Sequence, residues 1–213
     1  MIIRLPEFMA PEQARSITAN LAIVPGATPS GFQTTEPALQ MGHDFRVALA
    51  ENQVFQEATL ARRMTPFSML RLQNGSEYAF DLDNFVIGGE EAVRADLVMS
   101  IFLSAPEAYQ GGDLVVIDGT SIERIRMNAG DAVIYPANNF HRVDPVRGGE
   151  RWSAEAFIQS QIRDGDQRQV LAEIHAVLGW ISQPKPEEAA TLGPAIKALR
   201  RARANLGRMW TEL

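Results

Sequence analysis

The chain contains no cysteine and only three histidines. Disulfides and thiolate metal sites are therefore excluded, and any metal must be held by His, Asp or Glu. No stretch approaches the roughly 18 uninterrupted apolar residues of a membrane-spanning helix, and the start Met1-Ile-Ile-Arg-Leu-Pro6 lacks the apolar segment of a secretory signal. A cytoplasmic protein without membrane contact is expected. Basic residues are outnumbered, 20 against 26 acidic, for a net charge of -6. Nucleic acid is thus an unexpected partner, because neutralising phosphates needs a basic surface. No Gly-rich nucleotide fingerprint and no serine nucleophile elbow occurs, and Gly111-Gly112 opens no helix, which makes it a turn or bulge.

What is present is a change of texture along 213 residues that are 46% hydrophobic and 22% charged. Pro11 and Glu12 stand where a helix start wants them, with Ala14, Ile17 and Leu21 on one face. Residues 24–44 are rich in turn formers and read as irregular or weakly stranded. Helical spacing returns from Phe45 to Arg63. From Pro66 onward short extended runs alternate with turn residues: Phe67–Gln73, Tyr78–Leu82, Asp96–Leu103, Gly112–Asp118, Ile122–Met127, Asp131–Tyr135, His141–Val146 and Arg151–Gln161. Eight strands suit a jelly roll. Asp118-Gly119 marks a tight hairpin and Asn128–Asp131 a further turn. After Gln161 the helical period resumes through Leu171, Ile174 and Leu178, and Gly193-Pro194 opens or kinks a last helix. The fold class expected is mainly β with flanking helices. Residues 1–64 support the core, 65–162 form a double-stranded β-helix, or jelly roll, and 163–213 a helical extension.

Chemistry concentrates in Tyr78-Ala-Phe-Asp81-Leu-Asp83-Asn84, read with Asn139-Phe-His141 and Arg151. In an extended segment Asp81 and Asp83 point the same way. With His141 folded against them they make a facial cluster of two oxygen donors and one imidazole, suited to a divalent ion; a solvated turn is the other reading. Arg151, Ser153, Glu155 and Phe157 share one face of a strand, so Glu155 either pairs with Arg151 inside the barrel or lies solvated near its mouth. His43 reads as a surface or capping residue and His175 as an ordinary helix position. Tyr78, Tyr135 and Trp152 are sheet aromatics that secondarily line a pocket. Lys197, Arg200, Arg201, Arg203 and Arg208 form either a docking surface for an acidic partner or a solvated helix face. The apolar, basic C-terminal helices suit a homodimer.

Further pieces complete a pattern: Gln73-Asn74, Arg94-Ala-Asp-Leu97, Phe102–Pro106, Tyr109-Gln-Gly-Gly-Asp-Leu114, Ala129-Gly-Asp131, Tyr135-Pro136, His141–Val146 and Arg151 followed by Ile158-Gln-Ser160. In this order, over residues 70 to 180, they resemble the PKHD-type hydroxylases, prolyl-4-hydroxylase-like dioxygenases dependent on Fe(II) and 2-oxoglutarate. The resemblance implies a jelly roll whose mouth holds Fe(II) between a His-x-Asp pair and a distal His, with an Arg gripping 2-oxoglutarate. Carried over, Asp83 and His141 are metal ligands and Arg151 binds the co-substrate. The family's first His falls on Asp81, which hardens the ligand set toward ions such as Mn(II). Leu72 stands where many relatives place a Tyr. The function so implied is a hydroxylase-type dioxygenase acting on a small molecule or peptide through an Asp-x-Asp…His site. The alternative is a non-catalytic relative serving as a binding or assembly module.

Overall fold

The computed structural model describes residues 2–22, 31–33, 45–88, 91–182 and 186–212. His43 lies outside them, as does most of the 24–44 stretch. In chain order the elements are β1 (Ile3–Leu5), α1 (Pro11–Ala22), β2 (Gly31–Gln33), α2 (45–51), α3 (Gln53–Thr59), β3 (Ala61–Met64), β4 (Ser68–Gln73), β5 (Tyr78–Asp81), β6 (Val86–Ile87), β7 (Val93–Arg94) and β8 (Leu97–Phe102). There follow β9 (Tyr109–Gly111), β10 (Leu114–Asp118), β11 (Ser121–Ile125), β12 (Ala132–Pro136), β13 (His141–Val143), β14 (Val146–Ser160), α4 (Gly165–Ile181) and α5 (Pro186–Trp210).

The larger sheet runs β1-β12-β8-β14-β4-β2, with β3 and β9 also paired to β14, and the smaller runs β11-β10-β13-β5. All six residues of β8 are buried, as a central strand covered on both faces requires. One face of the larger sheet, through Met69, Met99, Ile101, Ile134, Trp152, Ala154 and Ala156, packs on Ala14, Phe45, Leu49 and Phe55 of the N-terminal helices. Its other face, through Leu70, Leu72, Val98, Phe102, Val133 and Tyr135, closes on Leu114, Val116 and Val143 of the smaller sheet. That second interface is the inside of the jelly roll. The alternation of β14 turns Arg151, Ser153 and Glu155 toward it.

Two expectations from periodicity are corrected, and a third, left open between two readings, is resolved. The helix expected from Phe45 to Arg63 breaks at Asn52, whose side chain accepts from the Phe55 N–H at 2.9 Å, and stops at Leu60, which adopts the left-handed conformation (φ 47°). Ala61–Met64 then pairs with β14. The last strand begins at Val146 instead of Arg151, because Gly148 and Gly149 pair with β9 before the chain enters the larger sheet. The last helix starts at Pro186 and carries Pro194 within it. The Asp118-Gly119 hairpin is present, Asp118 pairing with Ser121 and Gly119 taking φ 62°.

Candidate active site

His141 opens β13, where its register partners are Asp81 of β5 on one side and Val116 of β10 on the other. Its ring is 4% exposed and lies between two aromatic rings, stacked on Tyr78 at 5.8 Å and tilted against Tyr135 at 5.4 Å. Nδ1 is 3.3 Å from the Asn139 carbonyl oxygen. In the tautomer that donates this bond, Nε2 keeps the lone pair a metal needs.

Asp83 lies beyond the end of β5, in irregular chain, and its side chain is only 8% exposed. Its Oδ2 is 3.9 Å from His141 Nδ1 and is buried without a hydrogen-bond partner. Burial pushes its carboxyl up to about 6; His141 pulls the other way, while Glu155 and Asp81 add to the rise. Asp81 behaves differently. It is exposed, and its Oδ1 accepts from the Leu82 backbone N–H at 2.8 Å. Among the described residues no three His, Asp or Glu side chains come close enough together to hold a metal ion. The structure thus brings Asp83 to His141 and leaves Asp81 facing solvent. The strand alternation that would put both carboxylates on one face does not apply, because β5 ends at Asp81 and Asp83 is no longer part of a pleat.

Deeper in the barrel Arg151 is fully buried, the largest such side chain among the described residues. Leu72, its register partner, is also buried on the inner face and supplies no hydroxyl. The Arg151 Nη1 donates to Ser153 Oγ at 3.0 Å, and its guanidinium carbon stands 5.4 Å from the Phe102 ring centroid. Nε and Nη2 are buried without an acceptor. The hydroxyls of Tyr109 and Tyr135 are likewise buried and unpartnered. Burial raises both phenols, that of Tyr135 far more, and nearby Arg151 opposes the rise in each. Gly112 makes room for this group: a Cβ there would stand 3.2 Å from Arg151 Cδ and 3.1 Å from both Tyr109 and Val146.

Glu155 forms no ion pair with Arg151 among the described residues. Its Oε1 instead accepts from the hydroxyls of Ser153 and Ser100, each at 3.4 Å. Ser153 therefore separates the two charges, and the direct pairing of Glu155 with Arg151 gives way to a relay. Burial raises the Glu155 carboxyl against the pull of Arg151 and His141. Sequence reasoning placed Ser153 on the right face but gave it no role; its spacing of two from Arg151 was the available signal. Tyr109 and the Asn139 carbonyl were also missed, since neither a buried phenol nor a backbone acceptor has a sequence signature. Of the three sheet aromatics, Tyr78 and Tyr135 flank His141 while Trp152 packs on the opposite face. His175 is more than a plain helix position: its Nδ1 is 3.3 Å from Glu57 Oε2, which also receives Arg203 and so ties α3, α4 and α5 together.

An unpaired buried donor costs roughly 1–3 kcal/mol. A planar guanidinium with two N–H groups to spare, beside two hydroxyls, is what a carboxylate ligand satisfies. The inner face thus carries a buried guanidinium with N–H groups to spare and a separate carboxylate–imidazole pair.

The sequence model of the 2OG-Fe(II) oxygenase superfamily matches residues 67–159. A PKHD-type hydroxylase of Bordetella pertussis is 31% identical over the whole of both chains. Among solved structures, a Pseudomonas putida prolyl-4-hydroxylase is similar over 75% of this chain and 92% of its own, with TM-score 0.51 and 18% identity. HygX from Streptomyces hygroscopicus, solved with nickel and 2-oxoglutarate bound, is similar over 76% of this chain and 83% of its own, with TM-score 0.52 and 12% identity.

Proposed function

Since the chain belongs to the PKHD-type hydroxylases of the 2OG-Fe(II) oxygenase superfamily, we propose that it binds 2-oxoglutarate through Arg151 and hydroxylates a small molecule or peptide at a variant metal site centred on Asp83 and His141. The family's cofactors are Fe(II) and 2-oxoglutarate, and its reaction class is oxidoreductase. Bound iron supplies the oxidative decarboxylation of 2-oxoglutarate to succinate and carbon dioxide, one atom of dioxygen entering succinate and the other a substrate C–H bond. The protein's part is positioning. Arg151 would take the distal carboxylate on Nε and Nη2 while Ser153 holds Nη1. Tyr135 and Tyr78 fix the plane of the His141 ring, and Asn139 fixes its tautomer. Leu72 and Phe102 keep water from the guanidinium.

The observation that carries this reading is the pair of unspent Arg151 donors deep in the barrel that also holds the Asp83–His141 pair. The test is succinate formation from 2-oxoglutarate in air, with Fe(II) supplied to metal-stripped protein. Turnover is expected, slow without the true substrate, and lost in His141→Ala. Succinate formed equally by that variant would contradict the assignment. A second reading, a binding module that no longer turns over, is favoured by the outward Asp81. It is distinguished by 2-oxoglutarate binding without any succinate.

A further inference from the structure

The carboxylate of Glu155 has no part in the chemistry described above, yet it is tied to the residue on which that chemistry depends. Arg151, Ser153 and Glu155 occupy alternate positions of β14 and so share its inner face. Arg151 Nη1 donates to Ser153 Oγ at 3.0 Å, and Ser153 Oγ in turn stands 3.4 Å from Glu155 Oε1. Ser100 of β8, the register partner of Glu155, brings a second hydroxyl to the same oxygen at 3.4 Å. Both serines are buried, whereas Glu155 is partly exposed, which leaves a route for a proton to and from solvent. The charged and titratable groups around it come from four strands. Arg151 and His141 of β13 favour its charge. Tyr78 of β5, Tyr135 of β12 and Asp83 beyond β5 are raised mainly by their own burial, and the Glu155 charge adds to the rise in each.

Resting on the reading above, we propose that Glu155 is a resident counter-ion of Arg151 and sets how tightly the seat holds a dicarboxylate: 2-oxoglutarate binds well only when Glu155 carries a proton. The co-substrate brings two negative charges to an inner face that already holds Glu155 and Asp83. Like charges gathered where water is scarce disfavour one another's ionised forms, and taking up a proton relieves the conflict. A protonated Glu155 keeps its place, because its hydroxyl can donate to one serine while the other oxygen accepts. Ser153 Oγ has acceptor capacity for Arg151 in either state, so the guanidinium stays oriented while the competing charge disappears. Arg151 Nε and Nη2, buried without an acceptor, then face the ligand as their anion. Coupling between two binding events is reciprocal: if 2-oxoglutarate favours the proton on Glu155, the proton favours 2-oxoglutarate. Affinity must therefore rise as pH falls, by at most about tenfold per pH unit for one proton.

The experiment is calorimetric titration of 2-oxoglutarate into the chelator-treated full-length protein at about pH 6 and about pH 8, where the ligand keeps both charges. At an intermediate pH the titration is repeated in two buffers of different ionisation enthalpy, which counts the protons taken up. The wild type should take up close to one proton per ligand and bind roughly tenfold or more tightly at the lower pH. Glu155→Gln removes the charge while keeping the shape and the capacity to bond both serines. It should bind roughly tenfold more tightly than the wild type at the higher pH, and without proton uptake. Weaker binding by Glu155→Gln would overturn the proposal, as would the absence of proton uptake in the wild type. Uptake that persists in the variant would also overturn it, since the proton would then belong to His141 or Asp83. The wild-type proton count needs no variant, so a Glu155→Gln protein that failed to fold would not remove the test. The parent reading fails differently: neither protein would bind 2-oxoglutarate at either pH, or Arg151→Met would bind it as well as the wild type.

Discussion

Arg151 is a residue whose burial makes sense only with a ligand. Removing a guanidinium from water costs stability that its contacts must offset, and Arg151 has Ser153 and, through it, the Glu155 carboxyl. Arg151→Met should abolish 2-oxoglutarate binding, and Arg151→Met combined with Glu155→Gln, which removes both charges, should unfold in urea at or above the wild-type midpoint. A double variant much less stable than the wild type would indicate that Arg151 is structural. Asp144 offers the opposite case. Burial works against its charge, but the hydrogen bonds from Arg142, at 2.7 Å, and Arg124 outweigh it and hold the carboxyl below its ordinary range. A carboxyl depressed in the folded state stabilises above its unfolded pKa and loses that contribution as pH falls through the folded value. Asp144→Asn should cost about 1 kcal/mol at neutral pH, a discounted figure because both arginines are solvent-screened. The deficit should shrink as pH falls below the ordinary aspartate range, which unfolding curves at several pH values would show.

At the scale of elements, β14 does most of the positioning. It pairs with β4 and β8 in the larger sheet and, through Val146–Gly149, with β9. The turn into β10 must let it pass, and Gly112, at φ 69°, lies against Val146 and the Arg151 side chain. Gly112→Ala would be strained at that φ and would press on Arg151, Tyr109 and Val146. The expected result is a loss of about 1–2 kcal/mol in stability and weaker 2-oxoglutarate binding, measured by denaturation and calorimetry. Unchanged binding would show that the guanidinium is not held as described. A second joint lies where β7 leads into β8. Arg94 grips Asp96 with two hydrogen bonds, at 2.8 and 2.9 Å, and reaches Glu212 at 2.9 Å, and Asp96 also accepts from the Ser160 N–H. Asp96→Ala leaves Arg94 without its main partner and should cost about 3 kcal/mol, read from chemical unfolding. The strands of this architecture were legible because alternation and turn residues agree along 67–161. The exceptions have local causes. Leu60 takes a left-handed conformation that a count of apolar residues cannot show, and Gly148 and Gly149 hide the start of β14. At the site, the approach of Asp83 to His141 and the inward placing of Arg151 were legible in the sequence. The outward turn of Asp81 was not, because it depends on where β5 ends.

For the molecule as a whole, the jelly roll is clasped by its helices. Glu212 donates its backbone N–H to Gln161 and takes Arg94 and Arg163 on its side chain, so the end of the helical extension is fastened to the end of β14. No helix among the described residues is long and apolar enough to cross a membrane. A ligand that binds only the folded barrel stabilises all of it, by about 2.7 kcal/mol at a hundred times its Kd. Thermal unfolding should accordingly shift upward by several degrees with 2-oxoglutarate, and not at all in Arg151→Met. The most direct measurement is calorimetric titration of 2-oxoglutarate into chelator-treated wild-type protein and into Arg151→Met. The proposed assignment predicts one site in the wild type, present without metal, and none in the variant. Equal binding by both proteins, or no binding by the wild type even when Mn(II) is restored, would contradict the assignment of the buried guanidinium as the co-substrate seat.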